Sequence, residues 1–290
     1  MPRVQANGIE LEYDERGTGE PLVLIMGIGA QLVHWADGFL DVLVGRGFRV
    51  IRFDNRDVGL STKIQARVPP FGRSLARRLV GAPVQSPYTL FDMAGDVTGL
   101  LDALGLERAH IAGISMGGMI AQTLAIAHPR RVASLTSIMS SPGKIRYSLA
   151  KPNALRVLLS APPRSRDEAI ERGVTFFRTC GGTTHPPDLD RIRKTSERAY
   201  DRCFHPPGFA RQFAAILASG DRTRLLGTIR APTVVVHGSV DPLILPAAGS
   251  ATARAIPGAR LRIVDGMGHD LPASTWNLMG DEIAAVAARA

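Results

Sequence analysis

Ala109-His110-Ile111-Ala112-Gly113-Ile114-Ser115-Met116-Gly117-Gly118-Met119-Ile120 passes from a short apolar strand, through a glycine-bracketed serine, into an apolar helix. The strand pattern covers Ala109–Ala112, and helical spacing runs from Ser115 to His128, stopping before Pro129. Gly113-Ile114-Ser115-Met116-Gly117 is therefore a G-x-S-x-G turn in the strand–turn–helix context that gives it meaning. The turn is so sharp that side chains two residues either side of the serine would collide with the neighbouring strand and helix. The Ser115 hydroxyl is then exposed at a helix N-terminus. There the dipole and free N–H groups favour developing negative charge.

Outward from this turn, strands and helices alternate. Ile9–Glu15 alternates apolar and polar residues and reads as a strand near a sheet edge. Pro21–Met26 is a continuous apolar run, the mark of a buried parallel strand. A helix over Trp35–Val44, a strand over Phe48–Phe53, a helix over Thr89–Leu104 and a strand over Val132–Met139 complete a βαβ rhythm. From Ser141 to Arg230 the rhythm gives way to charged, helical and Pro-rich pieces. It returns with a strand at Pro232–His237, a helix at Pro246–Ile256, a strand at Arg260–Val264 and a helix at Trp276–Ala288. We read an α/β core over residues 1–140 and 231–290, with a mostly parallel sheet flanked by helices. A helical insertion interrupts it over 141–230. A short basic helix is expected near Phe71, Leu75 and Leu79, whose spacing makes an apolar stripe beside Arg73, Arg77 and Arg78.

A nucleophilic serine needs a base, and the base needs an acid to orient it. The expected chain order is Ser, acid, His. Gly238-Ser239-Val240-Asp241-Pro242 follows one late strand and Gly266-Met267-Gly268-His269-Asp270 follows the next. Both loops lie past a strand's C-terminal end, where open parallel sheets place their sites. Asp241 is thus the acid and His269 the base. Asp265 and Asp270 flank the histidine without the expected post-strand position, and no acid follows Val132–Met139. Oxyanion donors are expected from the N–H of Met116 and from the Gly27-Ile28-Gly29 turn, with Ile28 the donor. Gly27, Gly29, His34 and His237 are candidate substrate-pocket residues. His110, inside a strand, and His128, at a helix end, read as structural.

These segments, together with Asp54-Asn55-Arg56-Asp57-Val58-Gly59-Leu60-Ser61-Thr62 and Gly266–Pro272, resemble the α/β-hydrolase superfamily over nearly the whole chain. The last two resemble its small esterases and lipases, including those similar to aclacinomycin methylesterase. Met26-Gly27 stands where that family often has His-Gly, which leaves a backbone donor unaltered. The resemblance implies a cap after the sixth strand and a carboxylic ester hydrolase working through an acyl-enzyme, with no cofactor and no metal. Two alternatives keep the fold: a cofactor-free perhydrolase or haloperoxidase with the same triad, and a small-ligand receptor with little turnover. Dehalogenase and epoxide hydrolase chemistry is disfavoured, since those relatives carry Asp where Ser115 stands.

Composition sets the remaining bounds. With 290 residues, 45% of them hydrophobic, the chain can bury a large core. Met1–Pro21 has no apolar leader pattern, and no apolar run approaches the ~20 residues of a membrane span. A soluble, cytoplasmic protein is expected, with Cys180 and Cys203 reduced. The formal charge is +9, and 17 basic against 8 acidic residues between Lys144 and Arg230 account for all of it. That surplus is either a solvated surface or a basic lid over the site, suited to an anionic or lipid-like small-molecule ester or to peripheral membrane contact. No nucleic-acid motif accompanies it. The oligomeric state is not encoded in any readable pattern.

Overall fold

The computed structural model describes residues 2–147 and 150–290, and the chain enters its sheet at an antiparallel edge. β1 (Arg3–Ala6) and β2 (Ile9–Arg16) form a hairpin whose turn puts Asn7 and Gly8 at positive φ. β1 has no counterpart in the sequence reading, because the alternation of Arg-Val-Gln-Ala spans only four residues. Next come β3 (Glu20–Ile25), α1 (Asp37–Val44) and β4 (Phe48–Phe53), then α2 (Phe71–Leu79), α3 (Leu90–Ala103) and β5 (Ala109–Ile114). α4 (Met116–Ala127) and β6 (Val132–Ile138) complete the first half. Five helices follow: α5 (Pro152–Leu158), α6 (Arg166–Cys180), α7 (Leu189–Arg202), α8 (Pro206–Ser219) and the short α9 (Thr223–Leu226). β7 (Thr233–Gly238), α10 (Pro246–Ala255), β8 (Arg260–Val264) and α11 (Trp276–Ala287) end the chain. The sheet order is β1-β2-β4-β3-β5-β6-β7-β8, parallel from β4 onward.

β3 shows why helices must cover both faces. Val23 and Ile25 point into one apolar cluster, with Met93, Val97 and Leu100 of α3 and Ile120 and Leu124 of α4. Leu22 and Leu24 point into the other, with Phe39 and Leu43 of α1 and Met279 and Ile283 of α11. The period of two along a strand buried on both faces makes the run continuously apolar. α3 starts where Thr89 caps it, accepting from the Phe91 and Asp92 N–H groups while Asp92 reaches back to the Thr89 N–H. The expected stripe on α2 holds only at its start. Phe71 stacks edge-on against Phe213 at 4.9 Å, but Ser74 is the buried position and Leu79 is 58% exposed.

The helical segment between β6 and β7 is tied to the core by buried charge. Arg211 of α8 meets Asp57 through two parallel hydrogen bonds, Nε to Oδ2 at 2.9 Å and Nη2 to Oδ1 at 2.7 Å. Asp57 also accepts from Tyr88 Oη and from the Ile64 N–H. Arg202 of α7 pairs with fully buried Asp54, which accepts from the Leu32 and Leu60 N–H groups as well. Arg198 reaches Asp37 at 3.8 Å. Part of the basic surplus of this segment is therefore used against core carboxylates. Apolar contact adds to this: Leu226 of α9 shares one cluster with Ala248 and Ile256, as do Ala154, Cys180 and Ala215 of α5, α6 and α8.

Removing Arg211 takes the counter-ion from a fully buried carboxylate. Arg211→Leu is expected to lower the unfolding free energy by about 3–5 kcal/mol in urea titrations. A second change, Asp57→Asn, should recover part of the loss. A single-mutant loss below about 1 kcal/mol would show that the pair does not anchor the segment.

Candidate active site

Ser115 stands between β5 and α4 with φ 57° and ψ −120°, a conformation a side-chain-bearing residue rarely adopts. Two glycine neighbours make it possible. A Cβ on Gly113 would collide with the Gly117 carbonyl, and one on Gly117 with the carbonyl of Ile25. The Ser115 N–H still donates to the Ile138 carbonyl at 2.9 Å, so the sheet edge holds the serine while the chain turns into the helix.

The two late loops converge. His269 Nδ1–H donates to Asp241 Oδ2 at 2.7 Å. Asp241 Oδ1 accepts from the Leu243 and Ile244 N–H groups at 2.8 and 2.9 Å. Burial opposes ionisation of Asp241, yet His269 and His237 beside it outweigh burial and hold its carboxyl well below the usual carboxylate range. With Nδ1 committed to Asp241, Nε2 is the free nitrogen of His269. His269 and Ser115 line one cavity of about 600 Å³.

The turn after β3 passes directly beside Ser115, with Gly27, Ile28 and Gly29 on the cavity wall. The Gly29 N–H is already taken, donating to Gln212 Oε1 at 2.8 Å, while Gln212 Nε2 donates to the Arg56 carbonyl. Gln212 thus pins the turn and closes the Gly29 N–H to a ligand. Met116 opens α4, where an N–H has no intrahelical acceptor. Gln212 was not singled out from sequence. It lies 183 residues from Gly29, and no local pattern links the two.

Of the pocket candidates, His34 lines the cavity, with Nδ1 at 3.1 Å from the Gln31 carbonyl. Burial lowers its affinity for a proton. His237 corrects the sequence reading. It is absent from the cavity wall and stands behind Asp241, fully buried, with Nε2–H donating to the Ile244 carbonyl at 2.7 Å. Asp270, set aside on sequence grounds, is 4% exposed and does line the cavity. Burial pushes its carboxyl up to about 7, with His269 and Arg191 pulling back part of the way. Both cysteines are free. Burial, with Asp241 and Asp270 nearby, pushes the Cys180 thiol up to about 12. Among the described residues no cluster of three or more His, Cys, Asp or Glu is placed to hold a metal ion, and no helix is long and apolar enough to cross a membrane.

A serine on a strained strand–helix turn, a histidine on an aspartate and a glycine turn beside them are the parts of one protein class. The chain belongs to the alpha/beta hydrolase fold family, whose model matches residues 20–273. It is 27% identical to rhodomycin D methylesterase from Streptomyces peucetius, covering 94% of this chain and 93% of that one. It is 30% identical to a putative carbamate hydrolase from Azorhizobium caulinodans, over 97% and 96% of the two chains. Among solved structures, a hydrolase from Pseudomonas aeruginosa superposes with a TM-score of 0.69 at 28% identity, over 99% and 97% of the chains.

Two measurements check these environments. Native protein should react with a thiol reagent quickly at half-buried Cys203 and slowly at buried Cys180, with both reacting in denaturant. Equal native rates would contradict the burial of Cys180. For Asp270, the folded state holds its proton more tightly than the unfolded chain, so wild-type stability is lost as pH rises from about 4 through 7. The stability advantage of Asp270→Asn over wild type should therefore grow across that window. A difference independent of pH would place Asp270 in water.

Proposed function

We propose that this hydrolase cleaves carboxylic esters through an acyl-enzyme on Ser115. The observation that carries the reading is the convergence of the Ser115 elbow and the 2.7 Å His269–Asp241 hydrogen bond on one cavity. His269 Nε2 takes the proton of the Ser115 hydroxyl as its oxygen attacks the ester carbonyl. The carbonyl oxygen becomes an oxyanion held by the N–H groups of Ile28 and Met116. His269 passes its proton to the departing alcohol, leaving the acyl group on Ser115. Water, deprotonated by the same nitrogen, then attacks the acyl carbonyl, the acid leaves, and Ser115 recovers its proton. Asp241 stays ionised throughout and stabilises the imidazolium. No step calls on a metal or cofactor.

The cavity wall favours a bulky apolar ester. Phe71, Phe176, Phe177, Phe209 and Phe213 line it, and α5 to α8 supply much of that surface, the role of a cap. The methylesterase relative supports an ester of a small alcohol. The relative named as a putative carbamate hydrolase supports carbamates as a second substrate class.

Steady-state hydrolysis of nitrophenyl esters tests this reading. Ser115→Ala is expected to lose at least about 10⁴-fold in kcat, and Asp241→Asn about as much, because the imidazole loses its fixed tautomer. Gln212→Leu, which frees the glycine turn, should lose about tenfold in kcat with little change in KM, since oxyanion contacts act in the transition state. Undiminished turnover in Ser115→Ala would overturn the assignment.

A further inference from the structure

α2 leaves one face uncovered. Its inner side is used: Phe71 and Ser74 line the cavity, Phe71 stacks on Phe213, and Arg78 Nη2 donates to the Gly143 carbonyl at 3.3 Å. Gly72, Arg73, Ala76, Leu79 and Val80 fall on the opposite side at helical spacing, and all five are exposed. Leu79 at 58% and Val80 at 80% are the two most exposed large apolar side chains among the described residues. A Cβ on Gly72 or on Gly81 would meet nothing within 4 Å, so the space at both ends of the helix is open. The end that carries the apolar pair is nevertheless ordered. Gly81 turns the chain at φ 74°, the Ala82 N–H donates to the Arg77 carbonyl at 2.8 Å, and Arg77 Nε donates to the Pro83 carbonyl at 2.6 Å. The surroundings are cationic. Lys63 to Pro87 contains five basic residues and no acidic one. Arg73 is exposed at the rim of the outer face, with half-buried Arg77 beside it. Asp221, from the far segment, acts on Arg78 at the inner side.

We propose that the outer face of α2 docks on an anionic lipid bilayer. Leu79 and Val80 enter the boundary between headgroups and acyl chains, while Arg73 and Arg77 meet the phosphate-bearing headgroups. Both halves of the face call for this occupant. A soluble polyanion would pair the arginines and leave Leu79 and Val80 in water. A second copy meeting this face across a two-fold axis would set Arg73 and Arg77 against their own counterparts, with no acid in the segment to offset them. A helix of nine residues buries little apolar surface, so the attachment is reversible and depends on lipid charge. With Phe71 and Ser74 on its other side, α2 forms a partition between bilayer and cavity, which suits the apolar ester of the proposed reaction. The docking itself is independent of that reaction.

Sedimentation with lipid vesicles tests the docking without any substrate, so its outcome is separate from that of the ester-hydrolase reading. The vesicles are phosphatidylcholine alone, or phosphatidylcholine with about one-third phosphatidylglycerol. The protein should bind the mixed vesicles at least about tenfold more tightly than the neutral ones, and the ratio should shrink in concentrated salt. Leu79→Ser combined with Val80→Ser should weaken binding to mixed vesicles about tenfold, and Arg73→Gln about fivefold. All three positions are exposed, so the unfolding midpoint should stay where it is in these variants. In Val80→Trp protein the added indole should shift its emission to shorter wavelength on mixed vesicles. Equal affinity for the two vesicle types, undiminished binding after Leu79→Ser with Val80→Ser, or an unshifted indole would overturn the proposal. A dimer in solution that the same double change dissolves would also overturn it, by assigning the face to a second copy.

Discussion

The backbone turn at Ser115 is the constraint on which the rest of the structure depends. A non-glycine residue at φ 57° costs of order 1–3 kcal/mol and persists only when its surroundings over-determine it. Here they do. β5 is paired on both sides, with β3 and β6, and α4 is buried along nearly its whole length. Gly113 and Gly117 let strand, turn and helix approach closely enough to close the angle. The sheet must be parallel at this point, because only then do β3, β5, β7 and β8 deliver their following loops to the same edge.

The helical segment between β6 and β7 does more than cover that edge. The Cys180 carbonyl accepts from the His269 N–H at 2.6 Å, and the Thr183 and Thr184 N–H groups donate to the Gly266 carbonyl. Gln212 holds the glycine turn after β3, and Arg202 and Arg211 lock the segment onto Asp54 and Asp57. The histidine loop and the turn facing Ser115 are therefore both positioned by the same helical segment whose other residues line the cavity. A change in these helices that alters substrate fit should be felt at the reacting groups too.

What could be read from sequence follows from the range of the interactions. Ser115, Asp241 and His269 each carry a local signature, a glycine-bearing loop directly after a strand, and their order along the chain supplies the rest. The parallel core was legible because strands buried on both faces are continuously apolar. The Asp54–Thr62 turn was visible as a motif, but not its purpose. Its acids pair with Arg202 and Arg211, 148 and 154 residues away. Gln212 acquires its role only from three-dimensional placement. Asp270 looks like any exposed loop acid until its burial is known. His237 misled for the opposite reason, since a histidine ending a strand near the site need not face it.

The central claim is a covalent one: the acyl group of the substrate passes through Ser115. Rapid-quench mass spectrometry tests it most directly, with protein mixed with nitrophenyl butyrate, stopped in acid within the first turnovers and digested. A butyryl group is expected on the peptide containing Ser115, appearing before steady state and absent from Ser115→Ala protein. A butyryl group on another side chain, or nitrophenol release with no acylated peptide at any time, would contradict it.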